Sequence, residues 1–322
     1  MKIVILDSET VSRGGDISLE GITSLGESRV YGYTPDDEVA DKIGDADAVI
    51  CNKCLITEEV FSKCKNLKYV GLFATGYNNV DIKAASRHGA AVCNVPAYST
   101  DSVAQHTFGL ILNHFCRIRE YADSVDRGDW VNYKLFSYFS IPTCELKGMT
   151  IGIIGFGDIG RQVARIAGAF GMNVITYTRS SEKVSADVRA VSLDELLRIS
   201  DVVTMHCPLN EGTKELINKE TLSKMKPTAY FVNTARGGVM NEHDLAEALN
   251  NGVIAGAGID CLTAEPMRAD CPLRGAKNCT ITPHVAWAPK QTRERLIEKV
   301  AENLRRFMEG EPINQVNRSA DK

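Results

Sequence analysis

Arg236, Glu265 and His284 are the residues of this 322-residue chain whose types and positions point to chemistry. Arg236 follows the run YFVNTA, Glu265 follows GAGID and a short turn, and His284 follows NCTITP. Apolar runs of this kind read as buried strands. Strands of a parallel sheet end on one side, so three strand ends can converge on one crevice. Taken singly, each residue has a plain role: Arg236 can cap a helix or meet surface carboxylates, Glu265 can be a solvated loop acid, and His284 a hydrogen-bonded buried imidazole. Taken together they suit hydride transfer between a nicotinamide and a carbonyl. Histidine, near neutral pKa, can give a proton to the developing oxyanion. A carboxylate beside it favours the charged imidazole and orients the ring. A guanidinium grips a carboxylate with two parallel hydrogen bonds and so aims the adjacent carbonyl. A 2-oxo acid has both groups on neighbouring carbons.

Such a reaction needs a dinucleotide, and the stretch IGIIGFGDIG at 151–160 supplies its signature. An apolar strand runs into Gly155, Phe156, Gly157, Asp158, Ile159 and Gly160, a G-x-G-x-x-G turn that opens the apolar-periodic helix 161–170. Strand 173–178 follows and completes a βαβ unit. Backbone N–H groups at that helix start would seat a pyrophosphate; the plain alternative is a tight turn with close helix–strand packing. At the end of the second strand, where an acid usually binds the ribose hydroxyls, this chain has Thr178, then Arg179, Ser180 and Ser181. No charge there repels a 2′-phosphate, and an arginine with hydroxyls can bind one, so NADP(H) is expected in preference to NAD(H). Otherwise Arg179 only stacks on the adenine and either cofactor serves.

These residues must be positioned by sheets. In the first hundred residues strands are expected at 2–6, 48–51, 69–73 and 91–94, with helices at 35–43, 57–63 and 81–87. That alternation implies one α/β domain with a covered parallel sheet. Its strand-end loop, Ala74, Thr75 and Gly76 with Tyr77 and Asn78, offers backbone N–H groups to a small anion or is a plain β-to-α turn; Asn52 and Lys53 are expected to line the same mouth. A long helix is expected over 102–120, capped by Thr100 or Asp101, with His106 and His114 in packing or hydrogen-bonding roles. The following aromatic-rich segment, with Trp130, Tyr133, Phe136, Tyr138 and Phe139, reads as an arm across a partner subunit or as packing between the domains. The βα alternation then resumes from Thr150 with strands in VVTMHC, AYFVNTA, GVIAGAGID and NCTITPH, and helices start at Asp194 and Asp244. The last helix, 291–309, is expected to return to the first domain. The expected architecture is therefore two Rossmann-like or flavodoxin-like doubly wound parallel-sheet α/β domains with a cleft between them. Residues 1–100 plus 290–322 form a discontinuous substrate domain, and 101–289 a dinucleotide-binding domain.

Composition narrows the class. Hydrophobic content of 44% and charged content of 24% are those of an ordinary globular protein, and the net charge of −4 argues against nucleic-acid partners. No apolar run has bilayer-spanning length, and residues 1–7 read as a buried strand ending in an acid rather than a signal peptide, so a cytoplasmic location without membrane partners is expected. The ten cysteines form no disulfide framework; Cys93, Cys207 and Cys261 lie beside apolar strands as reduced core or pocket thiols. The one C-x-x-C, Cys51 to Cys54, has no second pair or nearby histidine, so no metal site is expected.

Five motifs in order carry a resemblance over nearly the full length: GFGDIG at 155–160, HCPLNEGT at 206–213, FVNTARGGVMNE at 231–242, GIDCLTAEP at 258–266 and TPHVAWAP at 282–289. By these the chain resembles the D-isomer-specific 2-hydroxyacid dehydrogenases. The resemblance implies a homodimer that reduces a small 2-oxo acid to the D-2-hydroxy acid. It implies Arg236 as carboxylate clamp, His284 as acid/base and Glu265 as its partner. The 74–76 backbone would complete the carboxylate pocket and Asp260 would meet the nicotinamide carboxamide. Thr107, Cys207, Pro208, Thr213, Thr234 and Ala235 are further cofactor-binding positions by the same resemblance. Within the family, NVPAYSTDSVAQHTF at 94–108, ATGYNNVD at 74–81 and Trp287 are most similar to glycerate dehydrogenases, that is, hydroxypyruvate/glyoxylate reductases. Alternatives are a D-lactate or phosphoglycerate dehydrogenase, the latter with Lys53 on a substrate phosphate, a formate or phosphonate dehydrogenase, or a non-catalytic dinucleotide-sensing corepressor.

Overall fold

The computed structural model describes residues 1–179, 184 and 188–318. Ser180 and Ser181, two of the expected 2′-phosphate ligands, lie outside the described residues. The chain divides into two compact units, one formed by Met1–Ser99 with the segment from Ala288, the other by Thr100–Trp287.

The first unit is a five-stranded, wholly parallel sheet. Its strands are β1 (Lys2–Ile5), β2 (Glu27–Val30), β3 (Ala48–Cys51), β4 (Tyr69–Leu72) and β5 (Ala91–Cys93), in the order β2-β1-β3-β4-β5. The helices are α1 (Glu20–Thr23), α2 (Val39–Ile43), α3 (Glu58–Lys63) and α4 (Ile82–Arg87). Strands β3 and β4 are buried at every residue, as expected where helices cover both faces of a parallel sheet. Strand β2, with sequence ESRV and an exposed edge, has no apolar alternation to announce it and was not expected. The C-terminal helix, Lys290–Met308, belongs to this unit: it packs along α1 and β4, and Phe307 lies on Tyr69 with ring centroids 4.9 Å apart. Asn303 donates to the Asn94 carbonyl, and Arg293 is paired with Asp16.

The second unit starts with α5 (Thr100–Cys116) and α6 (Ile118–Asp126), joined at Arg117. The expected single helix to residue 120 is thus two. Arg117 adopts a left-handed conformation with φ of 52°, which no helix can continue through, and the helix starts at Thr100 rather than being capped by it. The sheet strands are β6 (Thr150–Ile154), β7 (Asn173–Tyr177), β8 (Arg189–Ala190), β9 (Val202–Met205), β10 (Tyr230–Asn233), β11 (Gly256–Ile259) and β12 (Cys279–Ile281). The intervening helices are α7 (Asp158–Ala169), α8 (Leu193–Ile199), α9 (Lys219–Ser223) and α10 (Glu242–Asn250). All seven strands are parallel, in the order β12-β11-β10-β9-β6-β7-β8. The chain winds outward from β6 in both directions, so the topological switch point lies between β6 and β9, beside the glycine turn.

His106 and His114 have the structural roles expected of them. His114 is buried and stacked on Tyr230, centroids 4.1 Å apart, and burial holds its pKa down at about 4. His106 bonds Thr282 Oγ1 at 2.9 Å. The aromatic segment is tied to itself: Tyr121 Oη donates to the Ile141 carbonyl and Trp130 Nε1 to the Phe136 carbonyl. It nevertheless leaves Phe136 at 91% and Phe139 at 86% exposure.

Candidate active site

The glycines at the carboxyl end of β6 each have a separate physical reason. Gly155 has φ of +94°, and a Cβ there would stand 2.7 Å from the His206 carbonyl and the Cys207 nitrogen, so the turn runs hard against the end of β9. A Cβ on Gly160 would meet the Gly155 carbonyl oxygen at 2.3 Å, which fixes how closely α7 approaches the turn. Gly157 is different: a Cβ there meets nothing within 4 Å. The middle glycine therefore leaves bare backbone at the start of α7 facing open space, the cradle a pyrophosphate requires. Phe156 is buried and Ile159 packs on the same core, so both side chains are taken up by packing. Asp158 is ion-paired with Arg161.

The other positions expected to meet the cofactor hold loops of this unit. Thr107 is fully buried; its Oγ1 donates to the Val103 carbonyl and lies 3.1 Å from Thr234 Oγ1. Ala235 N–H donates to Asn233 Oδ1. Thr213 Oγ1 donates to the Pro208 carbonyl at 2.6 Å and accepts from Asn210 N–H, closing the turn after Cys207, whose thiol pKa is raised by burial. Thr178 is the first residue past β7, and Arg179 beside it is exposed.

Arg236 leaves β10 on a loop set by Gly237, whose absent Cβ would lie 1.9 Å from the Leu262 carbonyl carbon. No residue but glycine fits there, and the fit presses the Arg236 loop onto the loop that carries Glu265. Arg236 Nη1 donates to the Ala235 carbonyl at 2.7 Å, which orients the guanidinium while using one of its five donors. Glu265 and His284 are joined directly. Nδ1 of His284 lies 2.7 Å from Glu265 Oε2, while Oε1 accepts the Leu262 N–H at 2.9 Å. The pair is half-buried, with 24% of the imidazole and 32% of the carboxylate exposed, which leaves the histidine reachable.

Asp260, immediately after β11, is 1% exposed, and its role is larger than the sequence indicated. Oδ1 accepts from Thr282 Oγ1 at 2.5 Å and from Val285 N–H at 2.9 Å; Oδ2 accepts from Ala286 N–H at 3.0 Å. His106 Nε2 stands 3.5 Å from the same carboxylate and also bonds Thr282. These contacts grip both sides of His284, which has φ of 54°. An imidazole-bearing residue in that conformation carries about 1–2 kcal/mol of strain, and the Asp260 clamp holds it there. Neither the strain nor the clamp has a signature in sequence; the Asp spaced ahead of the TPH run is the only trace.

In the first unit, Asn52 and Lys53 follow β3, and their N–H groups are held by Asp7, which is 2% exposed, at 2.9 and 2.7 Å. Burial raises the Asp7 pKa against the lowering effect of those N–H bonds. The Asn52 side chain is buried and that of Lys53 exposed. After β4, the Ala74 carbonyl accepts the Val95 N–H, Thr75 donates to the Val95 carbonyl and accepts from Asn94, so the 74–76 turn is braced from behind.

A family model described as "D-isomer specific 2-hydroxyacid dehydrogenase, NAD binding domain" matches residues 108–286, more than half of the chain. The chain belongs to the D-isomer-specific 2-hydroxyacid dehydrogenase family. It is 42% identical to a hydroxypyruvate reductase of Blautia hydrogenotrophica, over 99% of this chain and 100% of the relative. It is 36% identical to a glycerate dehydrogenase of Methylorubrum extorquens, over 98% of each. Among solved structures it is similar to an acyclic imino acid reductase in complex with NADPH and D-Arg, with a TM-score of 0.88, 30% identity, and coverage of 98% of this chain and 100% of that one. This member of the family is an oxidoreductase, a 2-oxo acid reductase using a nicotinamide dinucleotide. Among the described residues, no helix is long and apolar enough to cross a membrane.

Proposed function

We propose that the chain reduces hydroxypyruvate, and glyoxylate as a smaller substrate, to the D-2-hydroxy acid with NADPH. The observation that carries the reading is the His284–Glu265 pair held by the Asp260 clamp, together with the 42% identity to a hydroxypyruvate reductase. With Nδ1 committed to Glu265, Nε2 is the atom of His284 that gives a proton to the carbonyl oxygen as charge builds there. Glu265 then stabilises the change in imidazole charge through Nδ1. Arg236 grips the substrate carboxylate with its remaining donors, which aligns the carbonyl. When bound, the dinucleotide supplies the hydride; the Gly157 backbone and the start of α7 hold its pyrophosphate, with Thr178 and Arg179 toward the ribose. The preference for NADPH rests on Thr178 and Arg179 standing where an acid would repel the 2′-phosphate. Substrate contacts by Asn52, Lys53, the 74–76 backbone and Trp287 are part of the proposal. So is a homodimer, supported by the ordered but exposed arm bearing Phe136 and Phe139, and so is a cytoplasmic location.

Initial rates with hydroxypyruvate, glyoxylate, pyruvate and 3-phosphohydroxypyruvate, each with NADPH and NADH, test the reading. Hydroxypyruvate or glyoxylate is expected to give the highest kcat/KM, and Arg179→Ala is expected to lower it for NADPH alone. A wild-type preference for NADH unchanged by Arg179→Ala would overturn the cofactor assignment. Dinucleotide binding with no turnover of any acid would favour the sensing role. Phe136→Asp is expected to shift sedimentation from dimer toward monomer; an unchanged dimer removes the arm from the interface.

A further inference from the structure

The catalytic pair has a third neighbour that hydride transfer does not use. Cys261 follows Asp260, is 1% exposed, and its thiol donates to the Ala235 carbonyl. Cys261, Glu265 and His284 each present one ligand atom, and the three atoms lie within 4.8 Å of one another. Thiolate, imidazole and carboxylate are the three ligand types that zinc takes, and three protein ligands with an open fourth position make a reachable site. Ligand atoms around a tetrahedral zinc stand roughly 3.3–3.7 Å apart, so closing the set requires adjustments on the order of 1 Å. The exposed side of the Glu265–His284 pair provides the entry path.

We infer that Cys261, Glu265 and His284 form an inhibitory site for a thiophilic divalent cation, Zn2+ above all, seated directly on the catalytic histidine. The inference rests on the role proposed for His284. On binding, the Cys261 thiol loses its proton to solvent, and a neutral His284 moves its proton from Nδ1 to Nε2 as Nδ1 turns from Glu265 to the metal. Glu265 becomes a metal ligand and no longer stabilises a charged imidazole. His284 can then neither take up nor release the proton that carbonyl reduction requires. The site has no sequence signature of the C-x-x-C kind, because its ligands come from two loops and are brought together only by the fold.

Cd2+ titration of the metal-free protein, read by thiolate-to-metal absorption in the ultraviolet, tests binding without reference to turnover. Zn2+ competition and Zn2+ inhibition of reduction, reversed by a chelator, follow on the same samples. One Cd2+ per chain is expected to give a band that is lost in Cys261→Ser and weakened in Glu265→Gln. Cys261→Ser is expected to keep turnover while its Zn2+ inhibition constant rises on the order of tenfold or more. A band and a Zn2+ affinity unchanged in both variants would overturn the inference. If no 2-oxo acid is turned over, the Cd2+ and Zn2+ titrations still decide whether the site exists; if Cys261→Ser fails to fold, Glu265→Gln decides it.

Discussion

The two units use one device for different ends. In each, a buried aspartate just past a strand, Asp7 after β1 and Asp260 after β11, accepts two backbone N–H groups from a loop at the carboxyl end of the sheet. Asp7 holds the N–H groups of Asn52 and Lys53, and burial raises its pKa. Asp260 adds a hydroxyl from Thr282 and an imidazole from His106, and the loop it holds carries a residue at positive φ. At Asp7 the backbone donors, with the Cys54 thiol beside them, fix where a loop lies. At Asp260 the hydroxyl and imidazole contacts hold a loop that contains a left-handed residue, His284. The two clamps thus differ in whether the loop they hold contains a left-handed residue.

His284→Ala should have the largest effect, lowering kcat/KM by about 10²–10⁴-fold through loss of the acid. Asp260→Ala should lower kcat by about 10²-fold through misplacement of His284, with a shifted pH profile that Asp260→Asn partly restores. Asp7→Ala should change kcat by less than about tenfold while costing about 1–3 kcal/mol of stability for its orphaned N–H donors. Steady-state kinetics and chemical denaturation of the variants are the measurements. An equal loss of kcat in Asp7→Ala and Asp260→Ala would erase the distinction drawn between the clamps.

A smaller contrast lies in acid. His206 is buried with Nε2 on Thr204, burial holds its pKa down at about 3, and its Nδ1 is without a hydrogen-bond partner among the described residues. His114 is held at about 4 by burial and by the Arg117 charge. Both belong to the second unit. Unfolded, these residues take up protons below about pH 6.5; folded, they do not until pH 3–4. The unfolded state therefore binds more protons in that window, and stability falls as pH drops through it, by at most about 1.4 kcal/mol per pH unit for each histidine. Asp7 works in the opposite direction: with its folded pKa raised above 3.8, its contribution falls as pH rises through the interval between the two values. Melting curves from pH 7 to 4 should show the loss, and His206→Asn should flatten it; an unchanged slope would mean His206 protonates without unfolding.

What could be read in the sequence followed from local physics. The buried strands announced themselves because a parallel sheet covered on both faces needs unbroken apolar runs, and β2, half solvated at the edge, did not. The break at Arg117 was hidden because the left-handed residue is an arginine inside an otherwise helical pattern, with no glycine to mark it. The glycine turn and the motif set Arg236, Glu265 and His284 were legible because each sits at a fixed place relative to a strand end. The clamp around Asp260, the strain at His284 and the closeness of Cys261 to the Glu265–His284 pair were not.

The sequence by itself determined the βα alternation, the glycine turn and the family, since these depend on spacing along one strand or helix. Tertiary structure alone decided how residues from different strands meet. Asp260 reaches Thr282, Val285 and Ala286 only because β11 and β12 are neighbours, and the Arg236 loop touches Leu262 only because β10 and β11 are. These strands are consecutive in the chain, but each is joined to the next by a long connection whose path the sequence does not specify, so the spacing along the chain does not tell how close their carboxyl-end side chains come.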